Sequence, residues 1–258
     1  MIGTALAVLV GAAVAMAAIN TYSAQMKFSP TKAGTGKKPV PVSFSVAYQA
    51  KGTNGNRTAP LTDVKSTVYG LKANWKGFPT CSEAQIAAAK NDTGCPSGAL
   101  VASGAITAVI GPTNNQSASA PGTAPCDPLL HVWNSGGGKL TFFFVDEPPN
   151  HMCAGGALTT GSVPPYPATI KASGKNLVLD TPVPTYVSYP LYGIEGSLET
   201  LNLTFKKLSV RSHGKKVYDI QSVGCHGSKR PYSVTFTANE PNSPSETDTV
   251  RGATKCNK

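Results

Sequence analysis

The sequence predicts an all-β protein, an antiparallel β-sandwich that carries one short helix clamped by a disulfide. Three observations support this fold class. Apolar and polar residues alternate over several short segments, which is the period-2 pattern of half-buried strands. The 26 glycines and 21 prolines are spread along the chain without forming repeats, as expected for many strands joined by turns. Strands do not alternate with long helices, so a parallel sheet is not predicted.

The chain has 258 residues, which is enough for one large β domain or two small ones, and we favour one domain. We predict a signal peptide or N-terminal anchor at residues 1–19, a flexible lead-in at residues 20–39 and a single β-sandwich domain at residues 40–258. Charged residues make up only 14% of the chain, which argues against a disordered polyelectrolyte.

The first residues are typical of an exported protein. Residues 2–19 carry no charge, and Ala15-Met16-Ala17 is a small-x-small cleavage pattern. No Lys or Arg precedes the apolar run, so an uncleaved anchor is the alternative, because the run is near the minimum of about 17 residues that crosses a bilayer. Its many alanines and glycines make a poor permanent span, which favours cleavage.

The cysteines predict three disulfides in an oxidising compartment. The six of them are Cys81, Cys95, Cys126, Cys153, Cys225 and Cys256. Several connectivities are possible, and we expect each cysteine to pair with its nearest neighbour along the chain. Metal ligation is the alternative, but the chain has no Cys-x-x-Cys pair and no histidine at ligand spacing from Cys81 or Cys95. We therefore predict neither a metal site nor a cofactor.

One short helix is predicted between Cys81 and Cys95. Ser82 can serve as its N-cap, and Gln85 can return a hydrogen bond to the cap, which is the capping-box arrangement. Turn-forming residues at 91–94 end the helix. The helix is shorter than the roughly 12–15 residues that hold their shape in water. A disulfide across it would contribute on the order of 3 kcal/mol to stability.

The remaining segments predict about ten strands joined by turns. In chain order these strands are residues 42–48, 61–71, 99–110, 129–134, 140–145, 168–173, 177–179, 198–210, 217–223 and 232–236. Residues 140–145 are apolar on both faces, so this strand should lie centrally in the sheet. Residues 111–125 are predicted to form a long surface loop, and residues 181–192 an irregular crossing because prolines interrupt them.

Five short motifs stand out along the chain. They are Phe78-Pro-Thr-Cys81, Gly94-Cys-Pro-Ser-Gly98, Val132-Trp-Asn-Ser135, Ser222-Val-Gly-Cys225 and Tyr232-Ser-Val-Thr-Phe236. As a set they resemble actinobacterial secreted, disulfide-containing proteins of uncharacterised function, over most of the chain after the export segment. The resemblance implies export and a β-rich fold held by disulfides. It implies no reaction and no catalytic residues.

Positive charge is clustered along the chain, whose formal net charge is +10. The basic groups are Lys32, Lys37 and Lys38, then Lys206, Lys207, Arg211, Lys215 and Lys216, then Lys229 and Arg230. Clustered cations attract anionic surfaces, so the expected partner is an anionic cell-envelope polymer or membrane surface, with no specific nucleic acid. Solubility alone is the alternative explanation.

The densest group of catalytic residue types is Asp146, Glu147 and His151. General acid–base catalysis needs such groups within hydrogen-bond reach of a substrate. Two prolines between Glu147 and His151 predict a turn, so a solvated hairpin tip is the alternative. This group is the proposed catalytic site only if the protein is an enzyme.

A second candidate site is a set of three tyrosines, Tyr186, Tyr189 and Tyr192, spaced by three in a proline-rich segment. Aromatic faces with a polar tip suit contacts that are half apolar and half wet, so these side chains can form a ligand platform. The alternative is that they plug one end of the sandwich.

The sequence therefore predicts an exported, non-catalytic protein of the cell envelope, with a binding or structural role and a basic surface. The first alternative is a hydrolase of an envelope glycan or ester that uses Asp146, Glu147 and His151. The second alternative is a carrier of an apolar small molecule. The chain has no Gly-x-Ser-x-Gly elbow and no phosphate-binding glycine loop.

Overall fold

The computed structural model describes residues 19–239 and 245–257. The expected signal peptide or anchor, up to residue 18, lies outside this part of the chain. Within it, no helix is long and apolar enough to cross a bilayer.

Antiparallel strands dominate the structure, which confirms the predicted all-β class. The strands are β1 (Asn20–Ser29), β2 (Val40–Pro41), β3 (Ser43–Gly52), β4 (Leu61–Tyr69), β5 (Leu71–Ala73), β6 (Leu100–Pro112), β7 (Ala124–Pro125), β8 (Leu129–Gly136), β9 (Lys139–Val145), β10 (Tyr166–Ser173), β11 (Asn176–Pro182), β12 (Ile194–Phe205), β13 (Ser209–Ser212), β14 (Lys215–Tyr218), β15 (Ile220–Ser222), β16 (Lys229–Ala238) and β17 (Glu246–Lys255). The helices are α1 (Glu83–Ala89) and α2 (Thr185–Ser188).

Twelve of the strands form one antiparallel sheet, in the order β1-β3-β12-β6-β8-β9-β10-β11-β4-β16-β17 with β7 paired to β6. The two ends of this path approach each other. The Ile19 backbone N–H donates to Glu246 Oε2 at 2.6 Å, and the Tyr232 hydroxyl donates to the Ala24 carbonyl at 3.2 Å. The predicted all-β fold is thus built from a single path of strands whose inward faces enclose a common core.

Besides the two-residue β7, two segments that the sequence does not predict as strands belong to this sheet. Residues 20–29, expected to be part of a flexible lead-in, form β1 and pair with β3 along their whole length. Their apolar alternation, Ala24, Met26 and Phe28, faces the core. β17, at residues 246–255, follows the last strand predicted from the sequence. Its side chains are largely exposed, and it is held in the sheet by its hydrogen-bonded ladder to β16.

The helix prediction is confirmed. Ser82 caps α1 and forms the capping box with Gln85. The helix packs its one buried residue, Ile86, on the outer face of the sheet against Trp133 and Phe143. This contact explains why β9 is apolar on both faces, since its other face lines the core.

The three disulfides join Cys81 to Cys95, Cys126 to Cys153 and Cys225 to Cys256. This is the nearest-neighbour pairing predicted from the sequence, and no described cysteine is free. Three disulfides indicate an oxidising, extracytoplasmic environment.

The two ends of the wrapped sheet differ. At one end, which we call the closed end, β2, β15 and β5 form a small antiparallel sheet that buries Val42, Leu71 and Ile220. At the opposite end, the loop end, the connections are residues 53–60, 113–128, 146–165 and 183–193. The closed end therefore has a second layer of sheet over the core, whereas loops and the short helix α2 cover the loop end.

We expect the double substitution Cys81→Ala/Cys95→Ala to lower the free energy of unfolding by about 3 kcal/mol, since it frees the loop that holds α1 against the sheet. Urea unfolding of the oxidised protein measures this change, with far-ultraviolet circular dichroism as the control for retained sheet. An unchanged unfolding midpoint would contradict the stabilising role given to this disulfide.

Because Asp219 is buried at the closed end, we expect the stability of the protein to depend on pH. Its Oδ1 accepts from the Leu208 N–H at 3.0 Å, and burial raises the pKa of its carboxyl to about 7 although backbone hydrogen bonds lower it. The pKa of this carboxyl in the unfolded chain is about 4. Between about pH 4 and pH 7 the folded state therefore binds one proton more than the unfolded state. Its contribution to stability is therefore present below about pH 4 and is lost as the pH rises through 7.

Asp219→Asn keeps an oxygen acceptor for Leu208 and removes the buried charge, so we expect it to flatten this pH dependence by a few kcal/mol, on the order of 1.4 per unit of pKa shift. Urea unfolding of both proteins between about pH 5 and pH 8 is the measurement. Parallel pH profiles for the variant and the wild type would be inconsistent with a raised pKa of Asp219.

Candidate functional site

An apolar cavity lies inside the wrapped sheet, and its volume is about 190 Å³. An engineered apolar cavity of about 150 Å³ in another protein stays dry and binds benzene. This cavity is therefore large enough for an apolar group somewhat bigger than benzene.

Strands from all around the sheet contribute side chains to the cavity wall. Met26 of β1, Val46 of β3, Ile106 of β6, Leu201 of β12 and Phe142 of β9 are among them. Each belongs to the inward-facing set of its strand, because successive side chains of a strand point to opposite faces. The wall is thus made by the same alternation that builds the core.

The polar groups in the cavity wall are mostly satisfied by other protein groups. The hydroxyls of Tyr48 and Ser66 are 2.8 Å apart, and the Ser188 hydroxyl donates to the Leu61 carbonyl at 3.0 Å. Burial raises the pKa of Tyr48 to about 12, although the hydrogen bond with Ser66 lowers it. These side chains stay neutral at physiological pH, so the wall presents no charge deep inside.

The cavity reaches the molecular surface at the loop end, between residues 146–165 and residues 183–190. Leu158 and Val163 line it from the first loop, and Val187 and Pro190 line it from the second. Thr159, which is exposed, also belongs to the wall. We call this opening the mouth.

The side chains of Asp146, Glu147 and His151 do not contact one another. The Asp146 carboxylate accepts from the Thr160 N–H at 2.8 Å, and the Thr160 hydroxyl accepts from the Asp146 N–H at 2.8 Å. Glu147 and His151 are joined through two backbone hydrogen bonds, of 2.7 and 3.0 Å. No side-chain hydrogen bond or ion pair joins these three residues in the described chain. The segment is therefore a turn at the mouth, and Asp146 stabilises it through its hydrogen bonds with Thr160.

The three tyrosines lie on the segment that forms one side of the mouth. Tyr192 is fully exposed, and the Tyr186 hydroxyl donates across the mouth to the Pro165 carbonyl at 3.1 Å. Tyr189 is half-buried. With Leu191, Tyr186 and Tyr192 are the large apolar side chains that the described residues leave exposed. None of the three tyrosines lines the cavity, and Tyr186 and Tyr192 are exposed on the loop beside it rather than buried in the core.

A buried ion pair fastens the predicted surface loop at residues 111–125, and sequence reasoning missed it. Arg57 Nη2 lies 3.0 Å from Glu195 Oε1, and both side chains are inaccessible to solvent. Arg57 also donates to the carbonyls of Asn115 and Ser117, and Gln116 donates to Glu195 Oε2 at 3.1 Å. These contacts hold the loop on the outer face of the sheet, and a single charged residue in each segment gave no signal of the pairing.

A second cluster that the sequence did not reveal joins Asp92, His131 and Trp133. Asp92 Oδ2 lies 2.6 Å from His131 Nδ1 and accepts from Trp133 Nε1 at 3.1 Å. Burial acts to raise the pKa of Asp92, but the hydrogen bonds and the charge of His131 outweigh it and lower the pKa. The cluster ties the segment after α1 to β8. In the part of the chain that the structure covers, no group of three His, Cys, Asp or Glu side chains is arranged to hold a metal ion.

No protein-family model, curated protein or solved structure matches the chain. The resemblance to actinobacterial secreted proteins stays a prediction, and the functional argument rests on the cavity and on the surface around it.

We expect Asp92→Asn to lower the free energy of unfolding at neutral pH by about 1–2 kcal/mol, because it removes a charge-assisted hydrogen bond to His131. A carboxylate whose folded pKa is depressed stabilises the fold above its unfolded pKa of about 4. This stability is lost as the pH falls through the lower folded value. Urea unfolding near neutral pH and near pH 3 measures both effects, and an equal difference at the two pH values would exclude the charge of Asp92 as the cause.

Proposed function

We propose that this chain is an exported, non-catalytic protein of the cell envelope that binds an apolar small molecule in the cavity inside its sheet. The observation that supports the proposal is the cavity itself, with its largely apolar wall and its mouth at the loop end. Ligand sites in proteins are concave and mostly apolar, with a few placed polar groups.

An empty cavity of this size is costly for the fold. Cavities made by truncating core side chains lower stability by about 24 cal/mol per Å³, which gives about 5 kcal/mol for 190 Å³. Net stabilities of domains are about 5–15 kcal/mol, so this cost is a large fraction of the total. A ligand that fills the space restores the lost contacts, and this gain is the driving force for binding.

The distribution of polar groups indicates the shape of the ligand. The inner wall offers hydroxyls that are paired with each other or with backbone, as with Tyr48 and Ser66. Polar groups at the mouth, Asp146 and Thr159, lie next to water. The proposed ligand therefore has an apolar body that enters the cavity and a polar end that remains at the mouth, as in a lipid with a short or partly inserted chain.

The hydrolase alternative receives less support from the geometry. Its three residues make separate contacts, and the carboxylate of Asp146 is occupied by Thr160. A binding role needs only the cavity wall, so we place the hydrolase second. Loss of ester or glycan hydrolysis in a His151→Ala variant would favour the enzyme over the carrier.

The direct test of the carrier is uptake of the neutral fluorescent probe N-phenyl-1-naphthylamine and its displacement by unbranched alcohols from hexanol to hexadecanol. We expect Leu201→Trp, which puts a larger side chain into the cavity, to weaken probe binding by about tenfold or more, equivalent to about 1.4 kcal/mol. Asn202→Trp is the matched control, since Asn202 is the next residue of β12 and points to solvent.

Equal probe binding by the wild type, Leu201→Trp and Asn202→Trp would show that the probe lies outside the cavity and would reject the proposed site. Mass spectrometry of organic extracts from protein purified from its native host is the second measurement. A reproducible lipid in these extracts is the expected result, and repeatedly empty extracts together with no alcohol displacement count against a carrier.

A further inference from the structure

The fold gathers the basic residues at the end of the molecule opposite the mouth. Three segments meet at the closed end: residues 30–42, residues 206–229 and residues 255–257. Their exposed cations are Lys32, Lys37, Lys38, Lys206, Lys207, Arg211, Lys215, Lys216, Lys229 and Lys255. We call these ten residues the basic pole.

Contacts between the segments bring the three of them together at the closed end. Lys229 and Lys255 are paired positions of β16 and β17, and Lys32 forms a backbone bridge with Asn257. The loop that carries Lys37 and Lys38 is joined to the same region, because the Gly34 N–H donates to the Ser222 hydroxyl at 3.3 Å. Cations that are far apart in the sequence therefore lie around one end of the sheet.

The positive charge of the basic pole is not neutralised by neighbouring carboxylates. Asp219 is the one acidic residue in the three segments, and it is buried. The ion pairs of the described residues are Arg57–Glu195, Lys65–Asp180 and His131–Asp92, none of which includes a residue of the basic pole. The loop end has the opposite character, since its four loops contain a single cation, Arg57, which is buried and paired.

The buried side chain of Arg230 adds a further positive charge at this end of the molecule. Arg230 is fully buried, with its guanidinium 4.7 Å from the ring centroid of Phe28 and a hydrogen bond to the Ser222 hydroxyl. Its Nε and Nη1 atoms have no hydrogen-bond partner among the described residues. Burial lowers the pKa of Arg230 to about 10, so the side chain still carries its charge at physiological pH. Clustered cations without counterions repel one another, and an anionic partner relieves this repulsion.

We propose that the basic pole binds a linear, phosphate-bearing polymer and so holds the protein with its mouth directed away from that polymer. The cations come from separate loops around one end of the molecule. A flexible polymer can bend to contact many of these cations at once, whereas a flat bilayer contacts fewer of them. The basic pole also has no exposed large apolar side chain, as those of the described residues lie at the mouth. Membrane-surface segments usually combine cations with apolar side chains that insert.

The experiment measures binding of the purified oxidised protein to immobilised long-chain polyphosphate over a series of salt concentrations. When binding depends on contacts to phosphates, the affinity falls as the salt concentration rises. In a plot of the logarithm of the binding constant against the logarithm of the salt concentration, each contact contributes roughly −0.7 to −0.9 to the slope. The pole variant carries Lys37→Gln, Lys38→Gln, Lys215→Gln and Lys216→Gln. The matched control carries Lys51→Gln, Lys90→Gln, Lys171→Gln and Arg251→Gln, four exposed cations outside the basic pole, so both variants lose the same net charge.

We expect the pole variant to bind polyphosphate about tenfold or more weakly than the wild type and to show a salt slope flatter by about three. The control should retain most of the wild-type affinity. Equal weakening of both variants would show that net charge alone attracts the polymer, and salt-independent binding by the wild type would remove the electrostatic site. Either result overturns the proposal.

Co-sedimentation with phosphatidylglycerol vesicles separates the polymer from a membrane. Tighter binding to vesicles than to polyphosphate at equal phosphate concentration would assign the basic pole to a lipid surface and reject the polymer. Uptake of N-phenyl-1-naphthylamine by the pole variant reports on the cavity independently. Wild-type uptake together with lost polymer binding is the expected result, so failure of the polymer site and failure of the carrier are distinguishable.

Discussion

The architecture depends on antiparallel pairing along one continuous path of strands. When neighbouring strands run in opposite directions, the connections between them alternate between the two ends of the sheet. Closure of the path by the contacts of β1 with β16 and β17 turns the inner faces of all the strands toward one interior. This arrangement encloses the apolar cavity and gives the molecule two chemically distinct ends.

The two ends are stabilised in different ways. At the closed end a small second sheet covers Val42 and Ile220, and the disulfide between Cys225 and Cys256 fixes the end of the chain. At the loop end no sheet covers the core, and the connections are held by the disulfide between Cys126 and Cys153 and by the ion pair between Arg57 and Glu195. These crosslinks stabilise the loops without filling the interior, so the cavity persists beneath them.

The disulfides and buried polar contacts replace packing where packing is incomplete. Long loops lose much conformational entropy when they become ordered, and each crosslink reduces the entropy of the unfolded chain instead. The paired carboxylates at Asp92, Asp146 and Glu195 act in the folded state, because each fastens a loop through hydrogen bonds to partners distant in sequence. Acidic residues at these positions therefore serve the fold.

Features encoded locally could be predicted from the sequence. The capping box at Ser82 and Gln85, the hairpin of β8 and β9 and the pairing of cysteines close in the chain all depend on residues near one another. β17 was not predicted because its side chains are largely exposed and its stability comes from the ladder to β16. β1 does carry an apolar alternation, but the sequence alone did not show that residues 20–29 pair with β3. The pairing of Arg57 with Glu195 and of Asp92 with His131 joins residues too far apart for spacing to indicate contact.

By itself, the amino-acid sequence determined the strand periodicity, the capped helix, the thiol pairs and the excess of positive charge, because each is a property of composition or of short-range order. Only the tertiary structure decided that the inward faces leave an apolar cavity, that Tyr186 and Tyr192 are exposed, and that the lysines gather at the other end. Position in space depends on which strands pair and where the path closes, and these long-range contacts are settled by the burial of the whole core rather than by any one segment.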